Sequence, residues 1–98
     1  MKHVLFAPRD TDTPEDWYTQ IDNMYKSREP VRMMVDLTNY NSFDIKKIIK
    51  LKYILDIYRP VTKMYLHETV IKLNNPALKT FVKSCLVLFK PEKPVRFI

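Results

Sequence analysis

The chain has 98 residues, 46% of them hydrophobic and 29% charged, with a formal charge of +6; this is the composition of one globular domain, too short for two cores and too apolar for a disordered chain. It contains no glycine and one cysteine, which excludes a Walker A loop, a GxGxxG turn, a GxSxG elbow, an internal disulfide and a cysteine-rich zinc site. No apolar run approaches the roughly 20 residues of a membrane span, and the opening MKHVLFAPRD turns polar after six residues, so the expectation is a soluble protein of a reducing intracellular compartment.

A first strand is read at 3–7. Thr13-Pro14-Glu15-Asp16 then opens a helix, with Thr13 as N-cap, Pro14 at the first helical position and two acids at the positive end of the dipole. Trp17, Ile21, Met24 and Tyr25 follow at helical spacing, and Pro30 sets the end at or before Glu29. A second strand spans 31–37 and is apolar on both faces, as in a buried parallel strand. A second helix covers about 43–58, capped by Asn41 or Ser42 and stopped by Pro60. Its apolar stripe is Ile45, Ile48, Leu51, Leu55 and Tyr58, with Lys46, Lys47, Lys50, Tyr53 and Ile57 opposite. A third strand is read at 62–67. Asn75-Pro76 repeats the cap-then-proline pair and opens a third helix running to about 89. Leu78, Phe81, Val82, Cys85 and Phe89 share one face of it, away from Lys79, Lys83 and Lys90. The last strand is read at 95–98.

The order βαβαβαβ predicts an α/β domain spanning 1–98, with a four-stranded, mostly parallel sheet and three helices packed on one face through right-handed crossovers. Alternation divides the strand residues into two sets. Val4, Phe6, Met34, Met64, Leu66, Val95 and Phe97 form one, with Arg32 and Asp36 as polar exceptions. His3, Leu5, Val31, Met33, Val35, Lys63, Tyr65, His67, Arg96 and Ile98 form the other. The second set, half polar and half apolar, is expected on an uncovered face suited to assembly.

Residues 31–55, VRMMVDLTNYNSFDIKKIIKLKYIL, place an apolar-Asp-Leu step at the end of a strand, then an Asn/Ser-rich loop and a long amphipathic helix. This resembles the STAS-like fold of anti-sigma-factor antagonists. Residues 73–98, LNNPALKTFVKSCLVLFKPEKPVRFI, resemble short STAS-like proteins of large double-stranded DNA viruses in their asparagine-rich turn, apolar helix and final KP–PV step into an edge strand. The resemblance covers nearly the whole chain. It implies strands in sequential order, helices on one side, and a non-catalytic module that binds proteins in the host cytoplasm or a virion. The antagonists carry an Asp-Ser-Ser-Gly-type element where serine phosphorylation switches binding. Here the stretch is Asn41-Ser42-Phe43-Asp44-Ile45, without glycine. Ser42 is the nearest candidate for phosphorylation, and its ordinary reading is a capping serine.

The remaining chemical signals are sparse. His67-Glu68 starts like a zincin motif but meets Ile71 where the second histidine belongs. Arg9, Asp10, Asp12, Asp36, Asn39, His67 and Glu68 are expected at strand carboxyl ends, where Asp10, Asp36 and Glu68 could hold a divalent cation; acids there more often cap loops. Cys85 reads as an inert thiol on an apolar helix face. No cofactor, metal or catalytic group is therefore assigned. The expected function is binding of a protein partner or a second copy through Leu5, Tyr65, Val95, Phe97 and Ile98, the last three on an edge strand. The alternative is electrostatic binding of nucleic acid by Lys46, Lys47, Lys50, Lys79, Lys83 and Lys90.

Overall fold

The computed structural model describes residues 1–40 and 44–98. Its elements are β1 (Lys2–Phe6), α1 (Pro14–Tyr25), β2 (Val31–Asp36), α2 (Ile45–Ile57), α3 (Arg59–Tyr65), β3 (Leu66–Lys72), α4 (Pro76–Phe89) and β4 (Val95–Phe97). The fold is α/β with an all-parallel sheet in the order β1-β2-β3-β4. The described residues form four helices, where three were expected.

Local chemistry accounts for the helix starts. Thr13 and Asp16 form a reciprocal capping box: the Asp16 N–H donates to Thr13 Oγ1 at 3.2 Å and the Thr13 N–H to Asp16 Oδ2 at 2.8 Å. Asn75 Oδ1 accepts from the N–H groups of Ala77 and Leu78 at 2.9 and 3.2 Å. Asp44 caps α2, accepting from Lys46 and Lys47; the cap expected at Asn41 or Ser42 falls on residues outside those described. Pro60 has a double role. It ends α2 and sits in the first turn of α3, where a missing N–H leaves no bond unmade. Of the strand expected at 62–67, residues 62–65 are therefore helix and only 66–67 are strand; β3 begins at Leu66 and carries the β-branched run Thr69-Val70-Ile71.

The register aligns four covered-side residues, Val4, Met33, Thr69 and Val95, in one row and Phe6, Val35, Ile71 and Phe97 in the next. Between β2 and β3 it advances by two residues on β3 for one on β2, leaving His67 as the extra residue. This bulge lets Leu66 join Val31 in the core while Glu68 turns to the opposite side. Sequential strand order with right-handed crossovers places every helix on one face. The core reflects that: Trp17 and Ile21 of α1, Ile54 of α2 and Leu78 of α4 form one cluster with Phe6, Val31 and Ile71.

Packing is uneven. On α4 only Leu78 is fully buried; Phe81, Val82, Cys85, Leu86 and Phe89 are half-buried. Between this face, α2–α3 and the sheet lies an apolar cleft of about 210 Å³. Protein interiors rarely leave such space.

Candidate functional site

The uncovered side of the sheet is built from two rows. Leu5, Met34, Val70 and Arg96 lie in register across all four strands, and His3, Arg32 and Glu68 form the row beside them. Leu5 is 62% exposed and Met34 37%, whereas Val70 between its neighbours is only 4% exposed. Glu68 Oε1 lies 2.9 Å from Arg32 Nε and 3.4 Å from Arg96 Nη2, so one carboxylate on β3 ties together both neighbouring strands. The result is an apolar strip beside an ionic row, with Asp36 and Lys72 paired on its other flank.

Leu5 is on this face, as expected; Tyr65 is not. Tyr65 ends α3 and packs half-buried against the core. Val31, Met33 and Val35 also turn to the covered side, and Arg32, Met34 and Asp36 take their places. A strand apolar on both faces carries no parity signal, and a one-residue slip exchanges every side chain. Met34 and Val70 are thus the site residues that the sequence reading missed. Their signal is the register of β3, which is visible only once β3 is placed at Leu66–Lys72.

β4 forms one edge of the sheet. The Thr69 N–H donates to Pro94 O and the Ile98 N–H to Ile71 O, each at 3.0 Å. Residues 94 and 98 therefore face β3, and the alternation points the backbone groups of Val95 and Phe97 outward from the edge. Their side chains turn to the covered face, where Lys79 and Lys83 each hold Nζ 5.7 Å from the Phe97 ring. Ile98 is exposed at the chain end.

The six lysines do not merge into one surface. Lys47 leans towards α1, with Nζ 4.9 Å from the Trp17 ring and 3.1 Å from Asp10 O. Lys79 and Lys83 lie on the opposite flank over β4. Lys46 and Lys50 are exposed on α2, and Lys90 is exposed at the end of α4. Ile45, expected in the buried stripe of α2, is exposed with Ile49, Tyr53 and Ile57, four residues apart along its outer side. α2 is thus apolar on nearly all sides.

The acids do not converge. Asp36 ends β2 and accepts from the Thr38 hydroxyl at 2.7 Å and the Thr38 N–H at 3.0 Å, bonds that hold its carboxyl below the usual range. Glu68 and His67 lie near the start of β3, not at its carboxyl end, because α3 occupies the residues assigned to the strand. Glu68 is four residues from the register partner of Asp36, about 13 Å along the strand. Asp12 accepts from the Arg9 N–H in its own loop. Among the described residues no three His, Cys, Asp or Glu side chains are placed to share a metal ion. Cys85 is half-buried, and burial pushes its thiol up, away from the reactive thiolate. Ser42 lies outside the described residues. No described helix is long and apolar enough to cross a membrane. Comparison with protein-family models, curated proteins and solved structures finds no match for this chain.

Proposed function

We propose that the chain is a non-enzymatic interaction module that receives a protein partner, or a second copy of itself, on the uncovered side of its sheet and along the β4 edge. The row Leu5–Met34–Val70 carries this reading. No described helix covers it, and it exposes the apolar side chains of Leu5 on β1 and Met34 on β2 beside a buried Val70, between charged flanks. Arg32 and Arg96 beside it favour an acidic margin on the partner, and the outward backbone groups of Val95 and Phe97 suit addition of a strand. A structural role in a large DNA virus, which the sequence resemblance implies, accords with a module of this kind.

Light scattering over a concentration series, together with affinity capture from the native source, tests the proposal with Met34→Glu and Val95→Pro. Proline at position 95 removes an outward N–H and leaves the ladder to β3 intact. Self-association or capture by the wild type should be lost in both variants. Identical monomers that capture the same partners would show the surface to be misassigned. Nucleic-acid binding would rest on Lys46 and Lys50 of α2. A mobility shift at low salt that survives Met34→Glu and vanishes in Lys46→Glu/Lys50→Glu would move the function there.

A further inference from the structure

The cleft beneath α4 is on the helix-covered side, away from the surface just described, and stands independently of it. Leu55 of α2, Phe81, Cys85 and Phe89 of α4, and Met33 and Ile71 of the sheet line its interior. Its mouth differs. Arg59, Glu92 and Lys93 line it there. Arg59 Nη1 lies 2.8 Å and Lys63 Nζ 3.9 Å from Glu92 Oε1, while Arg59 Nη2 and Lys52 Nζ lie 2.9 and 2.7 Å from Asp56. The Nη hydrogens of Arg59 are filled by these two carboxylates and by the Phe89 and Lys90 carbonyls, so Lys93, which also lines the cleft, is the mouth cation left for an added anion.

We infer that this cleft binds a medium-chain carboxylate, its chain among the apolar residues under α4 and its head at Lys93 in the mouth. The volume sets the size. A dry apolar cavity of about 150 Å³ holds benzene, so 210 Å³ takes a somewhat larger body, on the order of ten carbons. The lining sets the chemistry, since an interior so apolar repels water and rewards hydrocarbon. The charge at the mouth sets the head: an anion there pairs with Lys93, and a neutral alcohol does not. The half-buried face of α4 gives such a chain a wall to complete.

The single tryptophan of the chain, Trp17, lines the cleft while only 1% exposed, so it reports directly on an occupant. Titration of the full chain with decanoate should change Trp17 emission saturably at one molecule per chain and raise the thermal midpoint. Decanol should bind at least about ten-fold more weakly. Decanoate brominated at its far end should quench Trp17. Cys85→Phe and Val82→Phe fill the cleft and should abolish binding with the circular dichroism spectrum retained; Lys93→Glu should weaken decanoate and leave decanol unchanged. Absence of saturable binding, absence of quenching by the brominated chain, or binding that persists in both filled variants would overturn the site. Decanol binding as tightly as decanoate would overturn the carboxylate assignment.

Discussion

Arg28 and Lys90 occupy conformations that most chains reserve for glycine. Their φ angles are 51° and 48°, in the left-handed region, where a Cβ crowds the following carbonyl. Lys90 is the C-cap of α4, and its N–H donates to Leu86 O at 3.1 Å; the Arg28 N–H donates to Tyr25 O at 3.1 Å just after α1. Both turns close helices, and the chain contains no glycine to close them. Lys90→Gly and Arg28→Gly should therefore each stabilise the fold by about 0.5–1 kcal/mol, net of the freedom glycine adds to the unfolded chain. Denaturant midpoints of the two variants check this, with Lys90→Ala as the control that keeps the Cβ. A drop for both glycine variants would mean that the left-handed turns carry no cost. The lack of glycine means that any left-handed turn falls on another residue; it does not say that one occurs or where, because long polar side chains carry no left-handed preference to read.

Three tyrosines join the helices to one another. Tyr58, between α2 and α3, donates to Asp22 Oδ1 of α1 at 2.7 Å and stacks on Tyr25 with ring centroids 6.2 Å apart; Tyr18 meets its edge at 5.6 Å. The Tyr25 hydroxyl lies 3.0 Å from Thr62 Oγ1, joining α1 to α3. Burial pushes the Tyr25 phenol above its usual value near 10, and the Thr62 bond offsets this in part. A raised value in the folded state means that the unfolded chain gives up this proton first. The stabilisation is then complete below about pH 10 and fades as pH rises beyond it. Tyr25→Phe should cost about 1 kcal/mol at neutral pH and should flatten the fall in stability between about pH 9 and pH 11. Urea unfolding at those values measures it, and parallel losses in variant and wild type would exclude Tyr25 as the cause. The Tyr25–Thr62 bond exists because 59–65 is helical, and that was the least legible part of the sequence. α1 and α4 announce themselves by Thr13-Pro14 and Asn75-Pro76. Pro60 reads as a stop, yet proline is equally at home in a first turn, and Val61 and Thr62 favour strands. Placing the strand at 62–67 carried Tyr65 onto the wrong face and hid Val70.

The molecule as a whole is anchored at one end of its chain order and loose at the other. β2 lies between β1 and β3, and the core formed by Trp17, Ile21, Val31 and Leu66 packs around it. α4 contributes one fully buried residue, Leu78, and exposes Val87 and Leu88 near its far end. That end is held instead by Arg59, whose guanidinium donates to Phe89 O and Lys90 O at 3.0 Å each. The parallel sheet and its uncovered side follow from the order of elements and were legible; the identity of the exposed row was not, because β2 is apolar on both faces. The loose seat of α4 was not legible either, since its apolar face reads as that of any packed helix. Stability should accordingly vary along the chain. In native-state amide exchange the α4 amides should exchange through a local opening well below the global unfolding free energy, while those of β2 and β3 require complete unfolding. Filling the cleft with Val82→Phe should slow the α4 amides first. If the α4 amides are as protected as those of Val31–Asp36 in the wild type, α4 is seated as firmly as the sheet and the cleft is closed in solution.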